Sequence, residues 1–127
     1  MLNEKVFFAF FIVLALTLNF GFFYGDINEP SHHDPYELAA ALAVSLIATI
    51  LKFGDRSRMG PMLLATSLVA DLQLIAAAVL WGVASATGGE AGYREVVPSV
   101  VSLSGGALLA NLVSVTLLVS ESITDRN

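Results

Sequence analysis

The chain has 127 residues, of which 56% are hydrophobic and 13% are charged, and its net charge is −5. A soluble domain carries about a quarter charged residues, so the composition excludes an ordinary soluble domain. The lack of cysteine excludes disulfides and thiolate chemistry, and the acidic balance leaves no basic stripe for nucleic acid. The sequence contains no phosphate-cradling glycine loop, nucleophile elbow or zincin helix, so we expect no enzymatic activity.

Four apolar stretches divide the sequence, at residues 6–24, 35–53, 61–85 and 97–119. Each has about 19–25 residues, enough to cross about 30 Å of hydrocarbon at 1.5 Å per residue. Because lipid cannot satisfy backbone hydrogen bonds, the stretches are predicted to be helices. The sequence therefore predicts an all-α membrane protein, with one domain of four transmembrane helices over residues 1–127.

The basic residues predict how the chain is oriented. With four crossings, one side of the membrane receives Lys5, Lys52, Arg56, Arg58 and Arg126, and the other receives Arg94 alone. Under the positive-inside rule, both termini and the loop 54–60 are cytoplasmic. The first stretch ends in bulky aromatic residues rather than a small-residue cleavage site, so it is predicted to stay in the protein.

The first two stretches each carry a line of small or polar residues at helical spacing, which predicts the face directed at other helices. The first stretch holds seven of the eight phenylalanines and is otherwise expected to face lipid. The second is predicted to begin with Asp34 as N-cap and Pro35 at its first position, and Lys52 is expected to reach the headgroups. The inward lines are Ala15, Asn19, Phe22 and Asp26, then Glu37, Ala41, Ser45, Ala48 and Lys52.

The last two stretches carry broader polar faces. A turn at Gly88, Gly89 and Gly92 is predicted to separate them, with Pro98 in the first turns of the fourth helix. Close approach of a neighbouring backbone is expected at Gly105, Gly106 and Ala110. The polar faces hold Thr66, Ser67, Ala70, Asp71, Gln73, Ala77 and Ala78, then Ser104, Ala107, Asn111, Ser114 and Glu121.

Asp71 lies near the middle of an apolar run that is long enough to cross a bilayer. An ionisable group there costs about 2.5–3.5 kcal/mol on insertion scales and usually faces a protein interior or a water-filled cavity. A carboxyl at that depth suits a proton carrier or a cation-attracting group. Since no intramembrane Lys, Arg or His completes a proton relay, cation passage or binding is favoured. The structural alternative is a protonated acid bonded to Asn111 and serines.

Helix geometry predicts two polar layers. Counted from the predicted cytoplasmic ends, Asp71 lies about 15 Å deep, Asn111 about 12 Å and Ser45 about 11 Å, with Ser67 and Ser114 about one turn below. A second layer about 18–21 Å deep holds Gln73, Asn19, Ser104 and Gly105. The two stacked layers indicate an ion pathway, whereas interhelical bonding alone is the alternative for the amide side chains.

The first predicted outer loop gathers acids and imidazoles without a basic residue: Asp26, Glu29, His32, His33, Asp34 and Glu37. Carboxylates suit Ca²⁺ or Mg²⁺ and imidazoles suit Zn²⁺, but the spacing matches no tight metal motif. The loop is therefore expected either to be solvated without a ligand or to form an acidic vestibule that concentrates cations.

Three stretches carry a resemblance to known proteins: Tyr-Glu-Leu at 36–38, Lys-Phe-Gly-Asp-Arg at 52–56 and Ala-Thr-Ser-Leu-Val-Ala-Asp-Leu-Gln-Leu at 65–74. They resemble an uncharacterised family of short bacterial inner-membrane proteins with four spans. The resemblance implies a location in the bacterial plasma membrane, and it implies no activity.

The predicted function is a homo-oligomeric channel or carrier for small cations, in which the third and fourth helices line the path and the first lies outside. No organic cofactor is expected, and a monovalent or divalent cation is the ligand that the residues favour. The alternative is a non-conducting accessory subunit that binds a larger membrane transporter through its polar lines. The expected partners are the lipid bilayer and further copies of the chain, and nucleic acid is not among them.

Overall fold

The structure, a computed structural model, describes residues 2–24, 33–53 and 60–126. These residues form four helices: α1 (Leu2–Phe23), α2 (Pro35–Lys52), α3 (Gly60–Thr87) and α4 (Gly89–Arg126). Each helix is long and apolar enough to cross a membrane. The predicted all-α architecture with four spans is confirmed, and it indicates a multi-pass membrane protein.

The helices form an up-and-down bundle. Consecutive helices are neighbours, α4 closes against α1, and the contact between α3 and α4 is the most extensive. Phe8 of α1 lies beside Lys52 of α2 at one end, and Gly21 lies beside Glu37 at the other, so α1 and α2 run in opposite directions. We call the end with Phe8 and Lys52 the terminal end, and the end with Gly21 and Glu37 the loop end.

Helix α2 begins as its sequence predicts. Asp34 has extended backbone angles (φ −86°, ψ 117°), and its carboxylate accepts the backbone N–H of Tyr36 at 2.9 Å. Pro35 occupies the first helical position, where its missing N–H leaves no hydrogen bond unmade. The N-cap role of Asp34 is confirmed, so this carboxylate stabilises a helix end.

Helix α4 is longer than its apolar run predicted, because it begins at Gly89 and ends at Arg126. Gly92 and Pro98, predicted in the turn and at the helix start, therefore both lie inside α4. The reversal is confined to Gly88 and Gly89, and Gly89 has a φ of 60°, which glycine adopts without strain. Hydropathy marks only the lipid-spanning part of a helix, so the polar extensions at both ends of α4 were missed.

The predicted inward faces are confirmed by burial. The described members of the four lines are buried or half-buried, including Asn19, Ser45, Asp71 and Asn111. Two apolar clusters lie towards the ends of the bundle, one around Phe8, Ile12 and Leu63 and the other around Phe22, Leu38 and Trp81. The outer surface is a belt of exposed apolar side chains, among them Ile50, Leu72 and Leu109.

Leu72 tests which face of α3 meets lipid, because it adjoins Asp71 in sequence but is 70% exposed. We expect Leu72→Lys to lower membrane insertion, since a lysine at helix centre costs about 2.5–3.5 kcal/mol on insertion scales. The matched control is Tyr36→Lys, at an exposed position in the first turn of α2. Insertion is measured by the yield of folded protein in membranes. Equal yields for the two variants would contradict a lipid-facing Leu72.

Candidate functional site

The Asp71 carboxyl is buried in the bundle and bonded by α2. Its side chain is 5% exposed. Ser45 Oγ donates to its Oδ1 at 2.6 Å, and Thr49 Oγ1 lies 2.5 Å from its Oδ2. Ser45 and Thr49 are one helical turn apart, so both project from the same face of α2. Both carboxyl oxygens are thus held by hydroxyls of a single neighbouring helix.

The Thr49 hydroxyl allows Asp71 either protonation state. Its Oγ1 also lies 3.0 Å from the backbone oxygen of Ser45, and one hydroxyl proton serves one acceptor. If Asp71 is ionised, Thr49 donates to the carboxylate. If Asp71 carries a proton on Oδ2, that O–H donates to Thr49 Oγ1, and Thr49 donates to the Ser45 carbonyl. The Thr49 hydroxyl can therefore act either as donor or as acceptor at this carboxyl.

Two further polar contacts join the helices. Ser104 Oγ of α4 donates to Asn19 Oδ1 of α1 at 2.6 Å. The hydroxyls of Thr66 and Ser114 bond α3 to α4. The structure therefore brings together the predicted pairs Ser45–Asp71 and Asn19–Ser104, and it adds Thr49 and Thr66, which the sequence did not single out as site residues.

Thr49 and Thr66 were missed for identifiable reasons. Thr49 follows Ser45 by four residues and so shares its helical face, but it sits within a run of apolar residues. Thr66 also bonds to carbonyls of its own helix, a common local contact for threonine that gives no sign of a partner on α4. Helical spacing from Ser45 was the available signal for Thr49.

The contacts fix the relative level of α3 and α4. Thr66 meets Ser114, and the Gln73 amide lies against Gly106. From these anchors, a rise of 1.5 Å per residue places Asn111 and Asp71 within about one helical turn of each other along the bundle axis. We call the polar residues in the middle of the bundle the polar column. In order from the terminal end towards the loop end, its members are Ser114 and Thr66, Ser67, Asn111, Asp71 with Ser45 and Thr49, Gln73, and Asn19 with Ser104.

The polar column lies inside one four-helix bundle and draws on all four helices. Asn19 comes from α1, and Ser45 and Thr49 come from α2. Helix α1 therefore contributes a buried polar residue to the bundle interior, whereas an ion path lined by α3 and α4 stays a prediction. The reason for this contribution is the narrow line on α1: Ala15, Asn19 and Phe22 are fully buried, although much of the Phe-rich surface around them is exposed.

Several polar atoms in the column have no hydrogen-bond partner within the protein. They are Asn111 Oδ1 and Nδ2, Ser67 Oγ, Gln73 Oε1 and Asn19 Nδ2. Asn111, Ser67 and Asn19 are completely buried, and Gln73 is half-buried. An unpaired buried polar group costs about 1–3 kcal/mol. These atoms are distributed along the column, on α1, α3 and α4.

Gly105 and Gly106 admit side chains of the same protomer. A Cβ on Gly106 would lie 2.5 Å from Gln73 Oε1, and one on Gly105 would lie 2.8 Å from the Phe23 ring. Real Cβ atoms do not approach other atoms this closely. Glycine at 106 is therefore what lets the Gln73 amide reach α4.

The predicted acidic vestibule is described only in part. His33 is buried, and its Nδ1 donates to the Phe22 carbonyl at 2.6 Å, while Glu37 is half-buried beside Gly21. Asp34 caps α2. Within the described part of the chain, no three His, Asp or Glu side chains are grouped to hold a metal ion. The remaining vestibule candidates, Asp26, Glu29 and His32, lie outside the described residues.

The terminal end holds two charged residues in buried positions. Lys52 is 6% exposed, and its Nζ lies 4.4 Å from the centre of the Phe8 ring, a cation–π contact. Glu121 of α4 is 5% exposed. The expectation that Lys52 extends to the headgroups is wrong, because the aromatic face of Phe8 holds the ammonium within the bundle.

The α2 hydroxyls should stabilise the fold through Asp71. We expect the double change Ser45→Ala and Thr49→Val to lower the free energy of unfolding by about 1–3 kcal/mol per lost donor, because the buried carboxyl loses its partners. The control is Thr116→Val, an exposed threonine that bonds only the Leu112 carbonyl of its own helix. Unfolding in mixed micelles measures the free energy of unfolding of the double variant and of the control. A double variant as stable as the control would contradict this role.

Comparison with known proteins gives one family. A family model described as "Family of unknown function (DUF6394)" matches residues 32–122. The match covers most of the chain, including Ser45, Asp71 and Asn111, and leaves all of α1 outside. No curated protein and no solved structure matches the chain. The predicted membership of an uncharacterised family is thereby confirmed, and the chain belongs to the DUF6394 family of unknown function.

Proposed function

We propose that this protein carries small cations across a membrane and binds them at Asp71. One observation carries the proposal: a carboxyl lies at mid-helix inside the bundle, within a column of buried polar atoms of which several lack a protein partner. Ionisable side chains in membrane spans are expensive and generally mark ion or proton pathways. The four-helix bundle supplies the enclosure, and Asp71 supplies the charge that attracts a cation.

The two ends of the polar column favour a carrier over an open pore. From Ser104 to Ser114 the column extends about 15 Å at the rise of an α-helix, which is about half of the hydrocarbon thickness. Towards the terminal end lie Phe8 and Leu63, and towards the loop end lie Phe22 and Trp81, whose cluster also extends along the column to Ala70. Bulky apolar side chains beyond both ends of the polar column suit alternating access, in which each end opens in turn.

The charges near the ends suggest a direction of entry. The loop end carries the carboxylates of Asp34 and Glu37, whereas the terminal end holds both Lys52 and Glu121. Acidic groups at a mouth concentrate cations there. With the positive-inside rule, the proposal places the loop end outside and both termini in the cytoplasm of a bacterial cell.

We keep homo-oligomeric assembly in the proposal, but we no longer place the ion path between copies of the chain. Since the polar column is enclosed by the four helices of one chain, each copy holds a complete site. Additional copies would then serve stability in the bilayer, and no symmetry axis is needed to form the path.

A second candidate function is a non-conducting accessory subunit of a larger membrane complex. The contacts Ser45–Asp71, Asn19–Ser104 and Thr66–Ser114 favour it, because each joins two helices as interhelical hydrogen bonds do in structural bundles. Under this reading the polar residues hold the bundle together and carry nothing. Recovery of the protein only together with another membrane protein, without cation flux of its own, would support this candidate.

Reconstituted cation flux tests the proposal. Purified protein in liposomes should take up small cations down an imposed gradient, and Asp71→Asn should lower the rate at least about tenfold, because the amide carries no charge to attract the cation. Thr116→Val, on an exposed face away from the column, should retain the full rate. Uptake is followed with isotopic or fluorescent cation probes.

Two results would contradict the proposal. The first is absence of uptake by the wild-type protein across alkali and alkaline-earth cations. The second is an uptake rate for folded Asp71→Asn equal to that of the wild-type protein. Co-purification with a membrane partner, combined with the first result, would select the accessory subunit instead.

A further inference from the structure

We propose that the polar column contains a binding site for one dehydrated alkali-metal cation, such as Na⁺, with oxygen ligands from Asp71, Asn111 and Ser67. The inference rests on the proposed function and names the ligand and the atoms that hold it. It starts from an asymmetry around the carboxyl. Towards α2 the carboxyl oxygens are bonded, whereas Ser67 on the same helix and Asn111 on α4 have side-chain oxygens without a protein partner.

The placement of these residues supports a common site. Ser67 and Asp71 are four residues apart and therefore share one face of α3. Asn111 lies one turn from Ser114, which bonds Thr66 at the level below. Ser67 and Asn111 are fully buried and Asp71 is 5% exposed, so all three face the interior. The close contact of α3 and α4 brings the two faces together.

The ligand atoms suit a hard cation. An ionised carboxylate has about four acceptor sites, and the two hydroxyls of α2 occupy two of them. The carboxylate can therefore bind a cation while keeping Ser45 and Thr49. Asn111 Oδ1 and Ser67 Oγ add two uncharged oxygens. Oxygen-only ligands select hard cations over the softer transition metals, which prefer nitrogen and sulfur.

The charge balance selects a monovalent ion. One carboxylate and one alkali cation form a neutral pair, whereas a divalent cation would leave a net positive charge in a medium of low dielectric constant. Mg²⁺ also retains several of its waters, and Ca²⁺ takes six to eight oxygens. Among the described residues of the column, Asp71 is the only acid, since Glu37 lies about 12 Å along α2 from Ser45.

Thermal unfolding of the full chain in detergent tests the site. LiCl, NaCl or KCl should raise the unfolding midpoint saturably by several degrees relative to choline chloride at equal ionic strength. MgCl₂ and CaCl₂ should raise the unfolding midpoint no more than choline chloride does. Asp71→Asn should abolish the response, while Thr116→Val should keep it.

The variant Asn111→Leu tests whether Asn111 is a cation ligand or a residue that only stabilises the fold. The change keeps the number and branching of the side-chain heavy atoms and removes two unpaired polar atoms, so the salt-free protein should be as stable as the wild type or more stable. Its apparent affinity for the alkali cation should fall at least about tenfold, and Ser67→Ala should act in the same direction. This variant also keeps the test decisive if Asp71→Asn does not fold.

The outcomes separate this inference from the proposed function. Three results would overturn the site: no stabilisation by alkali cations, an equal stabilisation of Asn111→Leu, or stabilisation by divalent cations alone. If liposomes made from the same preparation still took up cations, the proposed function would nevertheless stand. Saturable stabilisation that is lost in both variants supports the site, and absence of uptake alongside it would overturn transport alone.

Discussion

The bond between the Asp71 carboxyl and two hydroxyls of α2 is the interaction on which the rest of the bundle depends. A carboxyl at mid-span tolerates neither lipid nor an apolar core, so α3 must turn it inward and a neighbouring helix must supply donors. Ser45 and Thr49 do so from one face of α2, which fixes the rotation of both helices. With Asp71 inward, its neighbour Leu72 necessarily points outward and is 70% exposed.

Much of this fold follows from the sequence, because the bilayer imposes the helix length and helical periodicity selects the buried face. Both constraints act locally, so the four spans and lines such as Ser104, Asn111 and Ser114 were predictable. Which polar residue meets which is decided by helix neighbours and register, which are tertiary properties. The sequence placed Ser45 and Asp71 at a similar depth in the membrane. Thr49 was missed because it lies within an apolar run, although it bonds Asp71. The polar ends of α4 were missed because hydropathy does not detect them.

The position of the candidate site could not be predicted either, because it also depends on which helices are neighbours. Sequence patterns show that a helix has a polar line, and they leave open whether the line faces a symmetry axis or the interior of its own bundle. Asn19 on α1 is buried and bonded to Ser104 on α4, so this polar line faces the interior of its own bundle.

The distribution of satisfied and unsatisfied groups separates structural bonding from ligand binding. If the polar residues served only to hold helices together, selection for stability would pair them all, because each unpaired buried atom costs about as much as a hydrogen bond contributes. The pairs with Ser45, Thr49 and Ser114 meet that requirement, whereas the Asn19–Ser104 pair leaves Asn19 Nδ2 without a partner. Asn111 and Ser67 do not, although they are as deeply buried. The bonded oxygens of Asp71 are held from α2, whereas unpaired groups lie on α3 and α4, so a guest between α3 and α4 would complete the set without breaking any bond that holds the fold.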